Sequence, residues 1–254
     1  MNLTQRVLLP VLSLAVAIGL WLIASRINPT MFPSPFRVAS LSIELVMSPG
    51  PDGNTGLFHL WVSLRRVFII VAISLVISVV VGVLMGLHRP IQAPFAMVLP
   101  GWMTVPDIVG ILFALILLGY TDLTVIIVVS FLAIPFGIVN VWQGMKNIDT
   151  DLLEMANTFQ ADGRLLWRYI YLPTLLPYLF SSGRYLLGMI WKVVLLAEAF
   201  GISNGIGAMV RFWYNQGNIP QLLAYFLLFV ATVFVIEYLF LEQLEKRAFA
   251  WRPE

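Results

Sequence analysis

Apolar residues dominate the chain in long runs, and most polar positions fall between the runs. Six stretches approach the ~20 residues needed to cross the hydrocarbon of a bilayer: about 7–24, 60–87, 91–118, 123–142, 174–200 and 221–241. The third is interrupted near Pro106-Asp107, where proline contributes no N–H and pushes its predecessor away from helix. The pattern predicts an all-α polytopic membrane protein with about six transmembrane helices. It predicts one transmembrane domain over 1–254. Residues 1–56 hold the first span and an outer-face segment, 57–245 the core, and 246–254 a cytoplasmic tail. Arg6 before the first run imitates a secretory leader, but no small-x-small cleavage site follows before Ser25, so a retained anchor is expected.

Two local patterns refine this picture. The segment 31–56 is rich in proline and glycine, and 36–47 within it reads as a short amphipathic helix on the outer face. Along the second run, Ser74, Ser78, Gly82 and Gly86 recur every four residues. Small side chains on one face let helix backbones approach closely in lipid. That face is either an ordinary packing seam or a sliding or dimerising surface.

Composition narrows the function classes. Charged residues make up 11% of the chain, against about 25% in soluble domains, which places the chain in a membrane. There is no cysteine, so no disulfide, thiol nucleophile or thiolate metal site is available. His59 and His88 are far apart and join no Ser/His/Asp or metal-ligand pattern, which weakens an intramembrane enzyme. The basic residues are scattered and the net charge is +2, so no nucleic-acid surface is visible. With the N-terminus inside, the cytoplasmic connections receive Arg6, Arg89, Lys146, Arg164, Arg168, Lys246, Arg247 and Arg252. The outer ones receive Arg26, Arg37, Arg65, Arg66 and Arg211. This positive-inside bias puts both termini in the cytoplasm. Glu237, Glu242 and Glu245 read as partners for Lys246 and Arg247 at helical spacing.

Four charges fall in or near the spans: Asp107, Arg184, Lys192 and Glu198. Charges at mid-membrane cost about 2.5–3.5 kcal/mol on insertion scales and face partners or water-filled paths. At 1.5 Å per residue in straight helices, Asp107 and Lys192 lie at similar depths, about 24 and 27 Å from the inner face. The two either pair between the third and fifth spans or each reach the outer interface without touching. Pathway candidates are Thr104, Asp107, Arg184, Lys192 and Glu198, since irregular backbone at membrane depth lines cavities.

The connection after the fourth run is the exception to the apolar pattern. "EMANTFQADGRLLWRYIYLP", 154–173, is a polar island long enough for about a helix and a half. Asp151 and Glu154 suit the positive end of a helix. Leu152, Met155, Ala156 and Phe159 follow at helical spacing, as for one apolar face. Ala161-Asp162-Gly163 reads as a break, and a second helix follows, with Pro173 and Pro177 early in the fifth span. The island is either an amphipathic connector or a docking element.

The island resembles the "EAA loop" of the permease subunits of type I ATP-binding-cassette importers. That pattern is Glu-Ala-Ala, three residues, Gly, nine residues, Ile-x-Leu-Pro. Glu154, Ala156, Ile170, Leu172 and Pro173 match, while Met155 and Gln160 depart from it. "FPSPFRV" (32–38), "SLRRV" (63–67) and "WKVVLLAEAFGISNGIG" (191–207) are similar to the nitrate/sulfonate/taurine class.

The resemblance implies a coupling helix fitted to a cytoplasmic ATPase present in two copies. It also implies a homodimeric permease and an extracytoplasmic solute-binding protein. Glu154, Met155, Ala156, Phe159, Gln160, Gly163, Ile170, Leu172 and Pro173 would form the coupling site. Either Gln160 holds the turn under strain, or the helix runs on and Gly163 makes the turn; because glycine takes positive φ without steric penalty, Gly163 is the favoured position. Lys146, Lys192 and Lys246 follow Met145, Trp191 and Glu245, so no phosphate-cradling Gly-Lys motif exists. No cofactor is expected in this chain, and ATP and Mg belong to the partner ATPase. The chief alternative is a self-sufficient secondary transporter or channel, although no inverted repeat with two matching broken helices is evident.

Overall fold

The computed structural model describes residues 3–241 and 243. Glu242, Glu245, Lys246, Arg247, Arg252 and the expected tail 246–254 lie outside the described residues. The elements are α1 (Leu3–Ile27), α2 (Pro35–Met47), α3 (Gly56–Leu87), α4 (Arg89–Met103), α5 (Asp107–Leu118) and α6 (Asp122–Lys146). They continue with α7 (Thr150–Thr158), α8 (Gly163–Leu166), α9 (Leu172–Gly201), α10 (Ile206–Asn215) and α11 (Ile219–Val235). Pro35 begins α2 with Ser34 as its cap, as the amphipathic 36–47 pattern requires.

Among the described residues four helices are long and apolar enough to cross a membrane: α3, α6, Gly163–Gly201 and Ile219–Tyr238. α1 adds a shorter apolar stretch, Val11–Ile27. The expected straight third span is instead a bent pair, α4 and α5, meeting at 93°. Counted as one span, the pair makes five. The bend has a local cause. Pro106 has no N–H to continue α4 and restricts Val105. Thr104 closes α4 with its hydroxyl donating to the Gly101 carbonyl at 2.7 Å. Asp107 then opens α5, at the end of the helix dipole that favours an acid.

The second half of the polar island is not a separate helix. α8, a π turn at Trp167–Tyr171 and α9 run as one helix, Gly163–Gly201. The Leu172 N–H bonds the Trp167 carbonyl, five residues back. This wider turn absorbs the register change where Pro173 brings no donor.

α6 is the central helix. In the isolated chain 67% of its apolar window is buried, against 17% for α11, and it packs on both α3 and α9. The α3–α6 seam explains the small-residue ladder. A Cβ on Gly82 would come 2.8 Å from the Val141 Cβ, and one on Gly86 would strike Met145. The Ser78 hydroxyl donates to the Ile134 carbonyl at 3.0 Å, beside Gly137. Ser78, Gly82 and Gly86 thus form a seam with α6 within one chain, and Ser74 is buried one turn before them. In lipid such close backbone contact supplies what hydrophobic burial does in water.

Candidate functional site

The polar island and a cluster of buried charges sit at opposite ends of the bundle. α6 ends and α9 begins at the island, whereas α6 begins and α9 ends near the cluster.

At the island, Asp149 caps α7 by accepting the Asp151 N–H at 2.9 Å. The apolar residues of α7 divide between two faces, where one face was expected. Ala156 is buried and, with Leu153, packs against Met145, Ile148, Ile170 and Leu175. Leu152, Met155 and Phe159 point outward and are 43%, 51% and 78% exposed. Their i, i+3, i+7 spacing makes a continuous outer stripe, flanked by the exposed Glu154. Leu172 is also exposed, and Pro173 is half-buried at the start of α9.

The turn after α7 corrects the expectation placed on Gly163. Gln160 holds φ +51°, the only positive φ of a non-glycine among the described residues. Its N–H bonds the Asn157 carbonyl at 3.0 Å, and the Ala161 N–H bonds the Ala156 carbonyl at 2.9 Å. These are the two bonds of a Schellman helix end, and Ala161 packs on the cluster containing Ala156. Two hydrogen bonds and an apolar contact outweigh the ~1–2 kcal/mol that a left-handed non-glycine residue costs. Gly163 instead opens α8 in the ordinary helical range, capped by Asp162, which accepts the Leu165 N–H at 2.8 Å. A Cβ at Gly163 would meet nothing within 4 Å.

The pathway candidates fall on different elements. Thr104 is exposed at the end of α4, Asp107 lies beyond the bend, and Arg184 is half-buried midway along α9. Asp107 and Lys192 make no ion pair among the described residues. Equal depth requires a straight third span, and α4 and α5 instead meet at 93°. Lys192 instead shares a groove between α9 and α11 with Glu237. Among the described residues no group of three His, Asp or Glu side chains is placed to hold a metal ion.

Glu198 is fully buried and belongs to the charge cluster. Arg66, also fully buried, is its hub. Arg66 Nη1 donates to Glu198 Oε1 at 2.6 Å and to the Asn204 carbonyl at 2.9 Å. Nη2 donates to Asp122 Oδ1 at 2.6 Å and to the Asn204 side-chain oxygen. The Ser63 hydroxyl donates to the Glu198 carboxylate at 2.8 Å and accepts the Ile206 N–H at 2.9 Å. The Gly207 N–H adds a bond to Glu198 Oε2 at 3.0 Å.

The glycines of this loop are required by the same contacts. Gly205 has φ +106°, and a Cβ there would fall on the Glu198 carboxylate. A Cβ on Gly207 would strike the Leu195 carbonyl. The Gly205 N–H donates to His59 Nδ1 at 3.2 Å, so the ring proton sits on Nε2, facing Asp52 at 3.2 Å. Burial alone would raise the Asp52 carboxyl, but hydrogen bonds from Asn54 and the neighbouring His59 outweigh it and hold it below the usual range. The cluster therefore pins the α9–α10 loop to α3 and to the start of α6. Ser63, Arg66, Asp122 and Asn204 escaped the residue-by-residue reading. The available signal was Arg66 itself, a charge ten residues into a long apolar helix.

With this geometry in place, comparison with known proteins decides the family. The model of the "binding-protein-dependent transport system inner membrane component" family matches residues 74–248. The chain belongs to this family. It is therefore a permease component of the ABC importer kind, an all-α polytopic inner-membrane protein. The taurine transport system permease protein of Escherichia coli is 24% identical over 259 residues, covering 99% of this chain and 92% of that protein. A putative aliphatic sulfonates transport permease of Bacillus subtilis is 23% identical, covering 94% and 85%. A nitrate import permease of Synechocystis is 23% identical, covering 87% and 82%. The fold matches a chain of the MetNI methionine ABC transporter in an inward-facing conformation. That match has a TM-score of 0.59 at 22% identity and covers 71% of this chain and 90% of that one. The turn after α7 stands at Gln160, one of the two positions where the island departs from the pattern it resembles.

Proposed function

We propose that this permease forms the solute pathway of an ATP-driven importer and that α7 is the lever through which a separate ATPase moves it. The observation that carries this reading is the outer stripe of α7. Leu152, Met155 and Phe159 are large apolar side chains held in the open on a helix of nine residues. Water penalises such exposure by about 25 cal/mol per Å² of apolar surface, and exposed apolar patches mark interaction sites. The inner face of α7 is packed on Met145, Ile148, Ile170 and Leu175, so force applied to the stripe reaches the ends of α6 and α9 together.

In this scheme two permease copies face each other in the inner membrane, with both termini and α7 in the cytoplasm. Two ATPase subunits hydrolyse ATP with Mg, and an extracytoplasmic binding protein delivers the solute. Their closure and opening switch the permease between inward-open and outward-open states. Glu154, Met155, Ala156, Phe159, Gln160, Gly163, Ile170, Leu172 and Pro173 form the coupling element. Leu152, Met155 and Phe159 touch the ATPase, Glu154 borders the contact, and Ala156 and Ile170 anchor α7. Gln160 and Gly163 shape its exit, and Leu172 and Pro173 lead into α9.

The test is purification of the tagged permease from its native membrane. The wild type is expected to bring down an ATP-hydrolysing subunit. Met155→Asp with Phe159→Asp is expected to lose at least tenfold of that ATPase activity at an unchanged thermal midpoint. Ion-gradient-driven uptake by the purified chain alone in liposomes would overturn this reading in favour of a secondary transporter.

A further inference from the structure

The groove between α9 and the α11 end holds two charges that the family assignment does not explain. It has a volume of about 410 Å³ and is lined by Gly188, Trp191 and Lys192 from α9 and by Phe226, Phe229 and Phe234 from α11, with Glu237 beyond them. Lys192 is exposed and Glu237 half-buried. They line the same groove from its two helices, yet they form no ion pair within 4 Å among the described residues. Both lie on helices long and apolar enough to cross the membrane. An ionisable group at that depth needs a partner or a function.

A further observation points to a ligand. Glu237 sits in a π turn, Ile236–Leu241, an irregularity frequent at functional sites. One cation and one anion facing the same aromatic groove match a zwitterion with an apolar body. The size falls within the range of small-molecule sites, about 300–1,000 Å³.

Resting on the permease reading above, we propose that this groove is a solute subsite for a zwitterion with a ring-bearing apolar body. The anionic group meets Lys192, the ammonium meets Glu237, and the body lies on Phe226, Phe229 and Phe234. The aromatic faces add offset-stacking contacts that a flexible aliphatic wall would lack.

The experiment uses the full chain, purified in detergent without any ATPase, and three probes of one shape. These are L-phenylalanine, phenethylamine (cation only) and 3-phenylpropionate (anion only), followed by competition against labelled phenylalanine. Phenylalanine is expected to bind at least tenfold more tightly than either analogue. Lys192→Gln is expected to lower phenylalanine to the level of phenethylamine, and Glu237→Gln to the level of 3-phenylpropionate. Lys192→Arg and Glu237→Asp are expected to keep the preference, which separates lost charge from lost folding.

Equal binding of all three probes, no saturable binding of any, or wild-type preference in both glutamine variants would each overturn the proposal. Loss of phenylalanine binding on doping the micelles with phosphatidylethanolamine, but not phosphatidylglycerol, would also overturn it and assign the groove to a lipid headgroup. The readout needs no ATPase, so its failure leaves the coupling role of α7 standing. Failure of ATPase capture likewise leaves this preference intact.

Discussion

The two ends of the permease solve opposite problems with opposite materials. At the α7 end, apolar side chains stand in the open and a glutamine occupies a backbone conformation suited to glycine. At the other end, Arg66 and Glu198 are taken completely out of solvent, and almost every polar atom around them is engaged; Arg66 Nε is the exception. The charge cluster joins α3, α6, α9 and the loop before α10, so that end holds the bundle together. The α7 end is braced from beneath and unfinished above, as a surface awaiting a partner would be. Substitutions at the two ends should therefore differ in kind. One end should register in stability, the other in association.

The largest effect is expected at the hub. Arg66→Met leaves Glu198 buried opposite no cation, which costs about 3–5 kcal/mol when one partner of a buried pair is removed. Thermal unfolding in detergent would read it. Adding Glu198→Leu should recover more than half of the loss, because apolar replacement of a whole buried pair is close to neutral. A double variant as unstable as the single would show that Arg66 matters for something other than this carboxylate. Next in size is Gly205→Ala, which sets a methyl on the Glu198 carboxylate at φ +106°. About 1–3 kcal/mol is expected from the backbone conformation alone. The smallest effects belong to the α7 exit. Gln160→Gly should strengthen hydrogen-exchange protection of the 156–161 turn by about 1 kcal/mol, while Gly163→Ala should change it by only a few tenths. The reverse ranking would place the turn at Gly163 after all.

Much of the architecture was legible because periodicity and apolar length report on neighbours along the chain. The positions of α2, α3 and α6, the break at Pro106 and the helical nature of the island all follow from local rules. Contacts made across the bundle were not legible. Arg66 and Glu198 are 132 residues apart, and nothing in either neighbourhood names the other. The Asp107–Lys192 pairing failed for a related reason: depth along a helix is readable only while the helix is straight, and Pro106 marks a break without giving its 93° angle. The turn after α7 was misplaced because steric ease was weighed alone. Hydrogen bonding from Gln160 and Ala161, with Ala161 packed on Ala156, reversed the preference. The two faces of α7 were hidden as well, since four apolar residues at helical spacing do not say which of them turns inward.

The chain has no cysteine, so a single Met155→Cys variant gives an unambiguous chemical reporter on the outer stripe of α7. A membrane-impermeant thiol reagent should label it in inside-out vesicles, fail to label it in intact cells, and label it far less once the ATPase subunit is bound. Labelling from the outer side of intact cells would contradict the account, because a lever on that side cannot receive work from a cytoplasmic ATPase.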